Sequence, residues 1–176
     1  MADSTGVIRS NALSIYISTS ATPITGGAIS SAAYWDLVAN STSGEISITR
    51  NAIEVTDKGS NGREHLLDFA DWTLSAECQV RYDGTMPANG FIRNASNLQA
   101  LFNAKTLVAV AWTTGAQTDG TPGTTDPVVF GMAYITEYSE NAGLNDVATL
   151  SLTFTGEGQV YFGTVPDADK FQVPTS

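Results

Sequence analysis

Between Asp71 and Tyr82 the chain alternates without a break. Trp72, Leu74, Ala76, Cys78, Val80 and Tyr82 take the even positions, and Thr73, Ser75, Glu77, Gln79 and Arg81 take the odd ones between them. Successive side chains of a strand point to opposite faces, so six apolar residues at period two make one buried and one wet face, where a helix would scatter them. Burying each large member contributes roughly 1.5–3 kcal/mol, and a one-residue slip would turn the whole row outward. The register of this strand is therefore tightly specified. Its hydroxyl- and amide-bearing face has to meet water, a partner or a channel.

Other segments repeat the pattern. Leu13, Ile15 and Ile17 alternate with Ser14 and Tyr16, and residues 34–39 form a second short apolar piece. Ile46 and Ile48 alternate with Glu45, Ser47 and Thr49, then Ile53 and Val55 with Glu54 and Thr56. The apolar phase switches from even to odd across Arg50 and Ala52, as a bulge would require. Residues 107–112 are apolar on both faces and suit a strand covered on both sides. Residues 128–138 read as a long strand with Phe130, Met132 and Tyr134 on one face. Ala148, Leu150, Leu152 and Phe154 then alternate with Thr149, Ser151, Thr153 and Thr155, a second wet face and one without charge. A last short strand is expected over 159–162.

One helix is expected, over residues 95–105. Leu98, Leu101 and Phe102 recur at helical spacing, Asn94 or Ser96 can cap the start, and Lys105 suits the C-terminal end. The fold class is thus mainly β: a sandwich or barrel of about seven or eight strands with one flanking helix. The length suits one domain spanning 1–176. It has an N-terminal arm at 1–12, long loops at 57–70 and 115–127, and a polar tail at 164–176. The Ser/Thr/Ala/Gly stretch 18–33 is also long for a loop, and such loops are usually functional or mobile.

The residues carry little chemistry. A single histidine excludes a His cluster for zinc, and His65 beside Glu64 and Asp68 lacks the oriented partner and nucleophile of a general base. Neither Asp167 and Asp169 nor Asp119 is followed by the oxygen ligands a hard cation needs. Phosphate-binding loops, dinucleotide fingerprints and nucleophile elbows are absent from the sequence. Cys78, the only cysteine, lies on the apolar face of its strand and reads as a packed thiol. We expect no enzyme activity, cofactor or metal. The formal charge is −10, and after Lys105 eight acidic residues face one basic residue, Lys170. Such a surface repels phosphate backbones, which argues against nucleic-acid binding but not against DNA passing close by. With 42% hydrophobic residues and no apolar run of spanning length, no membrane association is expected. The start lacks a secretory pattern, so synthesis in the cytoplasm is the default and the Asn40 and Asn94 glycosylation patterns carry little weight.

The ordered series 44–58, then Gly62 and Arg63, Leu66 and Leu67, and 71–75 resembles the major tail tube proteins of long-tailed bacteriophages. So do the helix 95–105, the strand 107–112, the paired strands 128–138 and 148–155, and the ending 153–158; the resemblance covers about residues 13–163. It implies hexameric rings stacked into a hollow tube through which the genome leaves the virion, bridged by loops and terminal arms. The tape measure, terminator and distal tail proteins are then further partners, and the virion tail is the location. On that reading the wet faces line the bore: Glu45, Ser47 and Thr49; Thr73, Ser75, Glu77 and Gln79; Thr149, Ser151 and Thr153. Six copies at −10 each carry −60 per ring, so DNA finds nothing to grip and passes unbound. Lys58, Arg63 and His65, three of nine Lys, Arg and His residues in one short loop, become candidates for docking on the acidic face of the next ring.

Three other readings fit a β-sandwich. A carbohydrate- or ligand-binding module could use Trp35, Trp72 or Trp112 as a stacking platform. A hydrolase would lack any recognisable triad. A neighbouring virion part, such as a tail terminator or head decoration, would form a single ring and no filament.

Overall fold

The computed structural model describes residues 14–38, 41–55, 62–79, 95–113, 126–142, 148–167, 169 and 171–172. The alternating stretch up to Gln79 lies in β6 (His65–Gln79), which pairs antiparallel with β5 (Ser41–Glu54) along nearly its whole length, while Val80, Arg81 and Tyr82 lie outside the described residues. A register shift falls at the expected place, but its extra residue sits on the partner strand, so β5 itself keeps its period. Between Arg50 and Ala52 of β5 the partner positions jump from Ala70 to Leu67, so β6 carries one extra residue opposite Asn51.

The remaining elements are β1 (Ser14–Ser18), β2 (Ile24–Thr25), β3 (Ala28–Ile29), β4 (Trp35–Leu37), α1 (Ala95–Ala104), β7 (Val108–Thr113), β8 (Pro127–Asn141), β9 (Thr149–Thr164) and β10 (Phe171–Gln172). Eight strands form one sheet in the order β10-β4-β1-β7-β8-β9-β6-β5, and β2 and β3 make a separate hairpin. Mainly β with a flanking helix, as a sandwich or barrel, is what the patterning predicts, and it takes the form of one long sheet rolled on itself. A Cβ added at Gly44 of β5 would stand 3.0 Å from the Ile15 Cδ1 of β1 and 2.9 Å from the Trp112 ring of β7, strands far away in the sheet order.

The rolled sheet encloses a main core of Ile15, Ile17, Trp72, Leu74, Cys78, Val108, Val110, Leu150, Leu152 and Phe154, closed at one side by Leu98 of α1. A second core lies on the opposite face of β1, β7 and β8, around Tyr16, Trp35, Ala111, Phe130 and Phe171. β1 and β7 are therefore buried on both faces, as the doubly apolar run 107–112 predicts.

Several expected loops and tails are ordered structure. Residues 65–70, expected within a loop at 57–70, belong to β6, because β5 supplies their ladder partners. Residues 56–61, with Lys58, lie outside the described residues, as do the expected N-terminal arm 1–12 and, up to residue 125, the loop 115–127. Pro127, the last residue of that loop, opens β8 instead. The stretch 18–33 contains the β2–β3 hairpin, turned by Gly26 and Gly27 at φ +59° and +79°, a primed turn that suits glycine. The tail 164–176 is core-forming at Val165 and Phe171. Phe171 stacks on Trp35 at 5.6 Å and meets Tyr16 edge-on at 5.0 Å, while β10 adds a parallel strand to β4.

The helix ends in a Schellman turn. The Thr106 N–H donates to the Leu101 carbonyl and the Lys105 N–H to the Phe102 carbonyl, both 3.1 Å, with Lys105 left-handed at φ +51°. Of the two expected caps, Asn94 lies outside the described residues and Ser96 is inside the first turn.

Candidate functional site

The odd-numbered residues of β6 stand at the centre of one broad polar face. Residues directly opposite in an antiparallel ladder share a face, so the register reads out rows across four strands. One row is Glu45, Ser75, Thr153 and Glu137, and the next is Ser43, Glu77, Ser151 and Ser139. Ser47, Thr73 and Thr155 lie to one side, and Gln79, Thr149 and Asn141 to the other. Thr49 pairs with Asp71 beyond them. All ten residues expected on wet strand faces thus fall on a single surface, exposed except for half-buried Thr153.

Glu137, Ser139 and Asn141 of β8 are missing from the sequence reading for a clear reason. Between Ile135 and Glu137 the partner on β9 moves by one residue only, from Phe154 to Thr153. That bulge reverses which face the odd positions of β8 take, so a fixed period of two cannot find them. Hydroxyls hold the carboxylates against the wall: Ser43 Oγ donates to Glu77 Oε2 at 3.2 Å, and Thr153 Oγ1 to Glu137 Oε2 at 3.1 Å. The described Lys and Arg residues, Arg50, Arg63 and Lys105, belong to none of these rows. The face can repel anions and hydrogen-bond water.

Cys78 points the other way, into the core. Burial, with a smaller push from the Glu77 carboxylate, raises its pKa to about 12, which makes it an inert packed thiol. Trp72 forms the floor beneath the polar face. Its Nε1 donates to the Gly158 carbonyl at 3.3 Å, and added Cβ atoms at Gly131 and Gly156 would strike its ring at 2.5 and 2.0 Å.

The hairpin of β5 and β6 continues past Trp72 as a two-stranded arm, since β9 pairs with β6 only from Thr73 to Gln79. Phe69 is 92% exposed and Leu66 and Leu67 each 61%, with Ile53 and Val55 about half exposed. Ile53 pairs with Leu66 and Ala52 with Leu67. Adjacent pairs point to opposite faces, so the arm is apolar on both sides. Arg63 and His65 are exposed on this arm, His65 opposite Glu54. The tryptophans do not form a stacking platform: Trp35 and Trp72 are buried, and Trp112 is half-buried against the main core. Among the described residues no helix is long and apolar enough to cross a membrane.

The four strands behind the polar face have a further property. β5, β6, β9 and β8 alternate in direction, and both outer edges are open among the described residues. Among the described residues β5 ends the sheet order, and β7 pairs with β8 only from Val128 to Ala133. The two open edges run in opposite directions.

No protein-family model matches the sequence, and no curated protein does. Solved structures match in fold. The tail of an empty GTA particle, refined with C6 symmetry, is 15% identical, with a TM-score of 0.56 over 85% of this chain and 96% of that one. The SPP1 tail tube is 11% identical, with a TM-score of 0.58 over 88% of this chain and 79% of that one. The tube-terminating cap of the anti-feeding prophage is 15% identical, with a TM-score of 0.54 over 90% and 91%. The chain shares the fold of these tube and cap subunits.

Proposed function

We propose that the chain is the structural subunit of a phage-type tail tube, six copies closing into a ring and rings stacking into a hollow conduit for DNA. The observation that carries this is the polar face on a four-stranded, alternating sheet whose outer strands, β5 and the 134–141 half of β8, run in opposite directions and pair with no further strand among the described residues. Joining β8 of one copy to β5 of the next continues the antiparallel order, and every copy then uses the same head-to-tail contact, as a closed ring requires. Six sets of four strands make a barrel of 24. At about 4.8 Å between strands and a tilt near 40°, its backbone diameter is roughly 48 Å, wide enough for a duplex. Closure also removes the unpaired edges, which otherwise invite aggregation.

In this ring the rows from Ser47 to Asn141 line the bore. Their hydroxyls and tethered carboxylates give a phosphate backbone no cation to bind. The arm, apolar on both faces and projecting from one end of the sheet, bridges to the adjacent ring, with Arg63, His65 and Lys58 meeting its acidic surface. Tape measure, terminator and distal tail proteins are the further partners, and the virion tail is the location.

The cap of the anti-feeding prophage, similar at a TM-score of 0.54, favours one second reading, a ring that ends a tube. Negative-stain microscopy of the purified protein separates the two. Filaments with a hollow core support the tube, single rings support the terminator, and particles that stay monomeric at high concentration refute both.

A further inference from the structure

The arm that runs past Trp72 is joined to the wall through a break in its own ladder. Between Arg50 and Ala52 the partners step from Ala70 to Leu67, so Asp68 and Phe69 share the place opposite Asn51. The Phe69 N–H donates to the Asp68 Oδ1 at 2.8 Å, so the amide at the break is satisfied within β6. Beyond the break the ladder has two strands among the described residues. Ala52, Ile53 and Glu54 pair with Leu67, Leu66 and His65, and the Val55 N–H donates to the Glu64 carbonyl at 2.9 Å. Ile53, Leu66 and Leu67 are each half exposed or more, so neither face of this ribbon rests on the subunit's core. On the other side of the break β6 is gripped. Trp72 lies against Gly131 and Gly156 with its Nε1 donating to the Gly158 carbonyl, and from Thr73 onward β6 has a strand on each side. A notch of about 490 Å³, bordered by Phe69, Asp71, Gly156, Gly158 and Gln159, lies beside the break.

We infer that this break is a joint: the ribbon of residues 52–55 and 64–67 opens and closes independently of the subunit, and Trp72 is the stop at which opening ends. A two-stranded ribbon with neither face packed is marginally stable in water, whereas unzipping past Trp72 would pull its ring from the core. The bulge interrupts the ladder between the two, so lost pairing in the ribbon is not passed on to the wall. The notch gives the base of the ribbon room to move. Resting on the ring reading above, stacking then selects the paired ribbon, because only pairing holds Ile53, Leu66 and Leu67 in fixed rows for burial. The paired fraction of subunits scales the apparent affinity of one ring for the next.

Hydrogen exchange on the dissociated subunit tests the joint. The amides of Ile53, Val55 and Leu66 should exchange at least about a thousand-fold faster than those of Leu74 and Ala76, the ratio between a near-even local opening and a global one. A cross-strand lock supplies the second measurement. Val55 and Glu64 form a hydrogen-bonded pair, so by alternation Ala52 and Leu67 form a non-hydrogen-bonded one, with Cα atoms about 4.5 Å apart and within disulfide range. Ala52→Cys with Leu67→Cys, oxidised, should slow exchange at Ile53 and Leu66 by roughly a hundred-fold. It should also lower the concentration needed for tube growth by about two-fold, the gain from a half-paired ribbon to a fully paired one. Reduction should reverse both, and the native Cys78 is buried away from the lock. Ribbon amides that exchange within about ten-fold of the wall amides overturn the joint and leave the ring reading standing. A lock that protects the ribbon without changing tube growth overturns the selection by stacking. Wild-type chains that never assemble overturn the ring reading, and the exchange measurement still decides the joint.

Discussion

Replacing Phe69 by serine separates folding from assembly. The side chain is 92% exposed in the subunit, so its removal takes almost nothing from the monomer, and the melting transition should move by no more than about 0.5 kcal/mol. In a stack, burying one such side chain contributes roughly 1.5–3 kcal/mol per subunit. At about 1.4 kcal/mol per factor of ten, the lowest concentration that supports tube growth should rise roughly ten- to hundred-fold. A dilution series followed by light scattering and microscopy reads the assembly, and a thermal melt of the unassembled protein reads the fold. Unchanged tube growth would mean the arm is not the bridging element. A melt lowered by several degrees would mean Phe69 is packed within its own subunit and the argument from exposure is wrong.

Other expectations follow from particular contacts. Gly156→Ala places a Cβ 2.0 Å from the Trp72 ring and should cost about 1–3 kcal/mol or more by overpacking, a loss that Trp72→Phe should partly restore in urea titrations. Lys105→Gly relieves a left-handed residue at φ +51° and should raise stability by about 0.5–1 kcal/mol in the same titrations, after allowing for the looser unfolded chain. Phe171→Ala removes the ring stacked on Trp35 and should cost about 3–5 kcal/mol, whereas a tail outside the core would show no change in melting. Cys78, with its pKa raised from 9.0 to about 12, should resist maleimide at pH 8 until the protein unfolds. Because the raised value favours the neutral thiol in the fold, its contribution to stability is complete below about pH 9 and declines as the pH climbs from there through 12; a Cys78→Ala chain should lose that part of the alkaline decline.

Much of the polar face was legible because its signal is local. Wherever a strand buries one face over at least five residues, as β6 does from Trp72 and β9 from Leu150, period two identifies both the core and the wet residues. The place of the register shift near Arg50 was legible from the change of apolar phase in the sequence, but not that its extra residue belongs to β6. The bulge after Ile135 was not, because Tyr138 and Glu140 follow it with too little contrast in polarity to show the change. Residues 65–70 looked like a loop because neither face is buried in the subunit, so the apolar pattern that marks a strand is missing. Phe171 looked like part of a tail because a single aromatic among polar neighbours has no period at all.

The amino-acid order was thus enough to establish which residues alternate, where the helix 95–104 runs and that the chain carries a large negative charge. These depend on neighbours within a few positions. Which strands adjoin, that the sheet rolls so that β1 reaches β5, that the outer strands β5 and β8 of the polar wall run in opposite directions, and that an apolar arm projects beyond Trp72 were decided only in three dimensions. Each is a contact between residues tens of positions apart, set by how two buried surfaces fit together, and no local periodicity encodes that fit.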